Sequence, residues 1–256
     1  MLLDLNHGSG FIYGRPTQGE GPAARINALI DAALVAEREH TPPRDYLGAS
    51  RIGEPCARRL VYEITHAPPD QGRKIGGDAL RIFEAGHLFE RLSARWLCAA
   101  GFDLRTERRD GSQFSFSAAG GRLRGHIDGV IVAGPDIGII WPALWEHKAL
   151  NAKSWHDLVK RGLAVSKPTY FAQVQLYMAY LEVERTLVTA LNKDTQALYH
   201  EVVAFDPAQA QALSDKAVAI IRAAEAGELL PRIAAASDFY LCRACPYARR
   251  CWEGAP

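Results

Sequence analysis

Apolar residues recur every three or four positions over 22–39, PAARINALIDAALVAERE, which predicts a helix with Pro22 in its first turn. HTPPRDY, 40–46, interrupts that pattern. PCARRLVYEIT, 55–65, predicts a short helix that stops before Pro68-Pro69. DALRIFEAGHLFERLSARWLCAAG, 78–101, predicts a longer one closed by Gly101. The period then shortens to two. DLRTERR and SQFSFSA flank Asp110-Gly111 and predict a hairpin. GRLRGHIDGVIVA and IGIIWPALWEHKAL predict two strands joined by a GPD turn. A helix over about 168–182 follows, then strands RTLVTALNK and ALYHEVVAF, then a helix over about 207–226. The order helix, strands, helix, strand, strand predicts an α/β class with a mixed central sheet flanked by helices. The cysteine-bearing ends fall outside that core.

Composition narrows the function classes. Of the 256 residues 48% are apolar, ordinary for a soluble globular chain. No run approaches the roughly 18 to 20 unbroken apolar residues of a membrane span, so no membrane role is expected. MLLDLNHGSGF carries no basic region ahead of an apolar run, so no signal peptide is expected. A cytoplasmic setting follows, where thiols stay reduced. The net charge of +1 confines any nucleic-acid surface to local patches. Arg51, Arg58-Arg59, Arg73-Lys74, Arg105, Arg108-Arg109, Arg122 with Arg124, and Arg249-Arg250 qualify, though each also reads as a solvated face.

Two segments carry candidate chemistry, GHIDG (125–129) and WEHKA (145–149). On a strand Glu146 and Lys148 share one face, and Trp145, His147 and Ala149 the other. If the strands pair, Asp128 converges on Glu146. Two carboxylates and a lysine suit a hard cation such as Mg²⁺ or Mn²⁺, which takes oxygen ligands. The ion would acidify a water and polarise a phosphoryl oxygen, and Lys148 would hold or deprotonate that water. The plain alternative is an exposed salt-bridged hairpin face. Against it, the charges stand inside the apolar run IIWPALWEHKAL, where they are costly unless paired or bound. Asp136 is a rival aspartate, but AGPDIG reads as a turn where Asp serves locally. Asp128, mid-strand between glycines, has no such local reason. His87 and Glu90 share one helical face, as do Gln173 and Tyr177.

The cysteines pose a separate question. LCRACPYARRC, 241–251, holds three of the five, Cys242, Cys245 and Cys251, an incomplete tetrahedral set. An odd count with a tight cluster suits metal better than a disulfide framework. Cys98 in RWLCAAG is expected to pack as a small apolar residue.

AGHLFE, GHIDG, WEHK and QVQLY, in that order, resemble the motifs of RecB-like nucleases of the PD-(D/E)XK superfamily, in the phage exonuclease and CRISPR adaptation nuclease branches. SRIGEPCARRLVYE and CRACPYARRC resemble the cysteine motifs of those branches. The resemblance spans about residues 48 to 252; residues 1–45 match no motif. It implies a restriction-endonuclease-like core and a divalent-metal DNA nuclease, most simply an exonuclease. His87, Asp128 and Glu146 would hold Mn²⁺ or Mg²⁺ with the His147 carbonyl. Lys148 would be catalytic, Gln173 and Tyr177 would support it and the DNA, and Glu90 would act from further out. Cys56 would complete the thiolate set, joining Cys242, Cys245 and Cys251 around a 4Fe–4S cluster, with zinc as the alternative. The cluster would staple the chain ends around the core. The resulting organisation is a helical segment over 1–75 with Cys56, a nuclease core over 76–206, and a helix and cysteine segment over 207–256. DNA is the implied partner, beside a recombination or repair protein; the oligomeric state stays open. A catalytically inactive DNA-binding or assembly subunit is the alternative, and an electron-transfer role would leave the acidic–lysine set without purpose.

Overall fold

The structure, a computed structural model, describes residues 21–254. The N-terminal stretch read as lacking a signal peptide lies outside them. The chain divides into two compact units, one of 21–42 with Ile75–Phe83 and one of Pro43–Lys74 with 84–254. In the smaller unit, helix α1 (Pro22–Glu39) meets the first turns of α3 (Gly77–Ala99), where Arg81 pairs with Asp31.

The larger unit is built on two sheets. One has the order β2 (Asp103–Arg105), β5 (Gly129–Ala133), β6 (Ala143–Leu150), β7 (Arg185–Asn192), β8 (Leu198–Ala204). Its β6–β7 pair is parallel and its other pairs antiparallel. The second is small: β1 (Leu47–Gly48), β4 (Leu123–His126) and β3 (Ser115–Ala118). Helices α2 (Ala57–Ile64), α4 (Ala152–Ser166), α5 (Pro168–Leu181) and α6 (Pro207–Ala226) complete the main layer. Short helices α7 (Tyr240–Arg243) and α8 (Ala248–Glu253) follow. This is the mixed-sheet α/β architecture expected from the sequence pattern.

Burial explains the arrangement. The main core gathers Leu60, Leu123, Ile127, Leu144, Leu158, Leu176, Val188 and Ile220. A smaller cluster, Leu104, Ile131, Trp145 and Leu187, occupies the other side of the sheet. Strand β6 therefore has apolar neighbours on both faces, as parallel-paired strands do. Helix ends follow local chemistry. Asp206 caps α6 by accepting from the N–H groups of Ala208 and Gln209, Pro207 stands in its first turn, and Gly227 closes it with φ 68°.

Several expectations change. The Asp110-Gly111 turn exists, with Ser112 N–H donating to Asp110, but only a single bridge, Glu107 to Gln113, joins its arms. Beyond it β2 and β3 enter different sheets, because Leu104 and Phe116 bury in different clusters. GRLRGHIDGVIVA is not one strand: it breaks after His126, so Asp128 stands in the bend between β4 and β5 rather than mid-strand. IGIIWPALWEHKAL forms a strand only from Ala143. Helix α4 was not anticipated. Its Asn151 cap accepts from Ser154 N–H at 2.8 Å, and Leu158 and Leu163 are buried, but Gly162 at φ 71° interrupts the spacing. Cys98 is exposed, its Sγ 3.7 Å from the Leu104 carbonyl, so it does not pack as an interior residue.

Candidate active site

Strand register brings the acidic residues together. Gly129 pairs with Trp145 across the antiparallel β5–β6 ladder, so Asp128 arrives opposite Glu146. Its Oδ2 accepts the backbone N–H of His147 at 2.8 Å. Glu146 and Lys148 share the face of β6 that looks toward α5, and Lys148 Nζ donates to Glu146 Oε1. Gln173 Nε2 donates to the same oxygen at 2.6 Å and reaches Tyr177 OH at 3.0 Å. Lys148 Nζ also stands 4.9 Å from the centre of the Tyr170 ring. The alternate residue His147 points the other way, its Nε2 3.0 Å from Ser93 Oγ on α3.

The electrostatics are those of crowded, buried charge. Burial, and then Asp128, push the Glu146 carboxyl up to about 8. Burial raises Asp128 as well, against the pull of Lys148. Burial opposes the Lys148 ammonium, but Glu146 and Asp128 outweigh it and hold Lys148 above its ordinary value. Lys148 thus stays charged at neutral pH, which favours holding a water or phosphate over deprotonating one. Burial, followed by the Lys148 charge, lowers His147 to about 4, so its ring is neutral. Burial, then Glu146 and Asp128, hold the Tyr177 phenol well above its usual value.

The helix residues stand at the margin. His87 Nδ1 lies 3.6 Å from Glu90 Oε2, and the His87 side chain is 73% exposed against 27% for Glu90. Burial, and then the Asp128 charge, raise Glu90. Asp136 is exposed in a turn.

Among the described residues no three His, Cys, Asp or Glu side chains form a ready-made ligand cage. Yet Glu146 Oε2 is buried with no hydrogen-bond partner. An orphaned carboxylate oxygen costs free energy that a cation ligand offsets. Burial is the main cause that raises Asp128, Glu146 and Glu90, and the Asp128 charge adds to it at Glu146 and Glu90. An all-oxygen acidic donor set of this kind fits a hard cation.

Cys56, Cys242, Cys245 and Cys251 line one cavity with Arg58, Arg59 and Arg232. Arg58 Nη1 lies 3.8 Å from Cys251 Sγ. Burial raises the Cys245 thiol, so metal binding there would release a proton. Four thiolates carry surplus negative charge, and the arginines supply its counterpart. By residue type the four cysteines suit either a four-iron cluster or zinc, although no three of them stand together as a ready-made ligand group. The surrounding segments also hold each other without metal. Asp70 accepts from Arg249 N–H at 2.8 Å and Arg250 N–H at 3.3 Å, and its own N–H donates to the Pro246 carbonyl at 2.7 Å. Arg232 donates to the Cys251 carbonyl, and the Tyr62 and Tyr247 rings pack with centres 5.2 Å apart, tilted by 31°. Ordinary hydrogen bonds therefore already join the segments that the cluster is expected to staple.

No protein-family model and no curated protein matches this chain. Solved structures do resemble it. An alkaline exonuclease, LHK-Exo from Laribacter hongkongensis, matches with a TM-score of 0.50 and 17% identity, over 77% of this chain and 93% of that one. Its complex with dAMP matches with a TM-score of 0.52 and 17% identity, over 78% and 93%. SSO0001 matches with a TM-score of 0.50 and 15% identity, over 91% and 98%. At these identities the likeness is one of fold. Among the described residues no helix is long and apolar enough to cross a membrane.

Proposed function

We propose that this chain is a divalent-metal-dependent deoxyribonuclease, working as an exonuclease. One observation carries the reading: Asp128, Glu146 and Lys148 converge beside Gln173, with Glu146 Oε2 buried and unpartnered. The fold likeness to an alkaline exonuclease supports it, and the neighbour seen with dAMP suggests nucleoside monophosphates as the kind of product. Asp128 and Glu146 would hold Mn²⁺ or Mg²⁺, with His87 and the His147 carbonyl beside them. When bound, the ion supplies Lewis-acid stabilisation and a more acidic water. Lys148 offers a fixed positive charge to the phosphate oxygen where negative charge develops. Gln173 fixes the Glu146 carboxylate, and Tyr177 braces Gln173. Cys56, Cys242, Cys245 and Cys251 would bind a 4Fe–4S cluster, with zinc as the alternative, in a structural role away from the chemistry.

The deciding experiment incubates purified protein with end-labelled single- and double-stranded DNA, with Mn²⁺, Mg²⁺ or EDTA. Metal-dependent release of short products, lost in Glu146→Gln, supports the reading. DNA binding without cleavage under every metal condition would favour the inactive-subunit reading instead.

A further inference from the structure

Strand β4 and the bend after it place Arg124, His126 and Asp128 on one side, because alternate residues of extended chain share a face. Burial bears this out. Leu123, Gly125 and Ile127 are buried, whereas Arg124 is half-buried, His126 exposed and Asp128 half-buried. The parallel β1–β4 ladder, Leu47 to Leu123, brings Tyr46 alongside. The Arg124 guanidinium lies 4.8 Å from the Tyr46 ring centre, and that of Arg44 lies 5.9 Å from it. Two cations thus share one aromatic ring within cation–π range.

Neither cation has an acidic partner among the described residues, although Arg122 next door pairs with Glu225. Arg124 spends one donor, Nε, on the Gly121 carbonyl at 2.9 Å. Among the described residues the rest of its five-donor fork has no hydrogen-bond partner and can take an oxyanion. The group is also coupled to the acidic site. A Cβ at Gly125 would lie 2.7 Å from the Tyr177 ring, so glycine there lets β4 press against it. Tyr177 then leads through Gln173 to Glu146.

We propose that Arg44, Tyr46 and Arg124 form a seat for a non-scissile backbone phosphate of the DNA strand entering the Asp128–Glu146–Lys148 site. This rests on the nuclease reading and deepens it. Arg124 stands on β4, which ends at His126, whereas Asp128 lies in the bend beyond it, so the seat is assigned to a phosphate next to the scissile one. Guanidinium forks recognise phosphate through its oxygens, a contact that positions the strand without reading its sequence. His126, exposed on the same face, adds a ring nitrogen able to hydrogen-bond a phosphate or sugar oxygen.

The test uses the full-length protein and a fluorescein-labelled oligothymidylate. Binding is measured by anisotropy in EDTA across a KCl series, and cleavage by initial rates in Mn²⁺. For Arg44→Gln/Arg124→Gln, affinity should fall about 10- to 100-fold. The slope of log K against log salt should become shallower by about 0.7, the release expected for one single-strand phosphate. In cleavage, KM should rise far more than kcat falls. Arg124→Lys, which keeps charge without the fork, should recover only part of the loss. The control Arg95→Gln/Arg222→Gln removes the same charge from exposed positions elsewhere. Wild-type affinity and slope in the Arg44/Arg124 double variant would overturn the proposal, as would an equal loss in the control. If the wild-type protein cleaves nothing in any metal yet the affinity loss appears, the nuclease reading fails and the phosphate seat stands.

Discussion

The backbone N–H of His147 donates to Asp128 Oδ2 at 2.8 Å, tying the bend after β4 to the strand that carries Glu146 and Lys148. That bond does more than join two segments. It aims the Asp128 carboxylate along β6, so a residue in an irregular turn meets two residues held by a parallel ladder to β7.

Asp128→Asn should abolish cleavage with little loss of stability, since an amide oxygen still accepts from His147 N–H. Asp128→Ala should abolish cleavage and also destabilise by about 1–3 kcal/mol, because a buried N–H loses its partner. Thermal melts beside the DNA assay separate the two effects. Asp136→Ala should leave cleavage intact; if it alone abolishes cleavage, Asp128 is the wrong aspartate.

Glu146 links the site to pH. Its folded-state value of about 8 stands above the ordinary 4.5, so the folded state keeps a proton that the unfolded chain releases. The contribution is fully present below about 4.5 and is lost as pH rises through about 8. In EDTA, Tm should therefore decline over that interval, and Glu146→Gln should flatten the decline. Mn²⁺ competes with the proton, so it should raise Tm more at pH 8.5 than at pH 6. An equal Mn²⁺ shift at both pH values would remove Glu146 from the ligand set.

Metal choice tests His87. Imidazole suits transition metals better than Mg²⁺. Mn²⁺ should support cleavage at least as well as Mg²⁺, and His87→Ala should lower the Mn²⁺ rate relative to the Mg²⁺ rate. The side chain is largely exposed, so this substitution should leave Tm nearly unchanged. An unaltered metal ratio would exclude His87 as a ligand.

An anaerobic preparation should be brown, with about four iron atoms per chain for a four-iron, four-thiolate cluster. Changing Cys56, Cys242, Cys245 or Cys251 should lose the iron, whereas Cys98→Ser should keep it. One zinc in a colourless protein would replace the cluster assignment without touching the nuclease site.

The C-terminal segment should stay docked when the metal is lost, because Asp70 grips the start of α8 independently. Limited proteolysis should find this segment protected in Cys251→Ser and cut in Asp70→Ala/Cys251→Ser. Equal cutting in both would mean that the metal alone holds it.

Helix positions such as Pro22–Glu39, Pro168–Leu181 and Pro207–Ala226 were legible because spacing, proline starts and glycine stops are local. The placement of Glu146 and Lys148 on one face of a buried strand was legible for the same reason: alternation is a property of the backbone. Helix α4 escaped because Gly162 breaks its spacing, and the break between β4 and β5 escaped because either half reads as strand. Which sheet each half joins depends on partners far along the chain: β4 pairs with β1 and β3, and β5 with β2 and β6. The sequence alone determined the residue types of the acidic site and the spacing of the cysteine triad. Only the tertiary structure decided that Asp128 lies in a bend bonded to His147, and that Cys56 shares a cavity with the triad. Such meetings are set by which apolar faces bury against one another, and no local pattern in the chain encodes that.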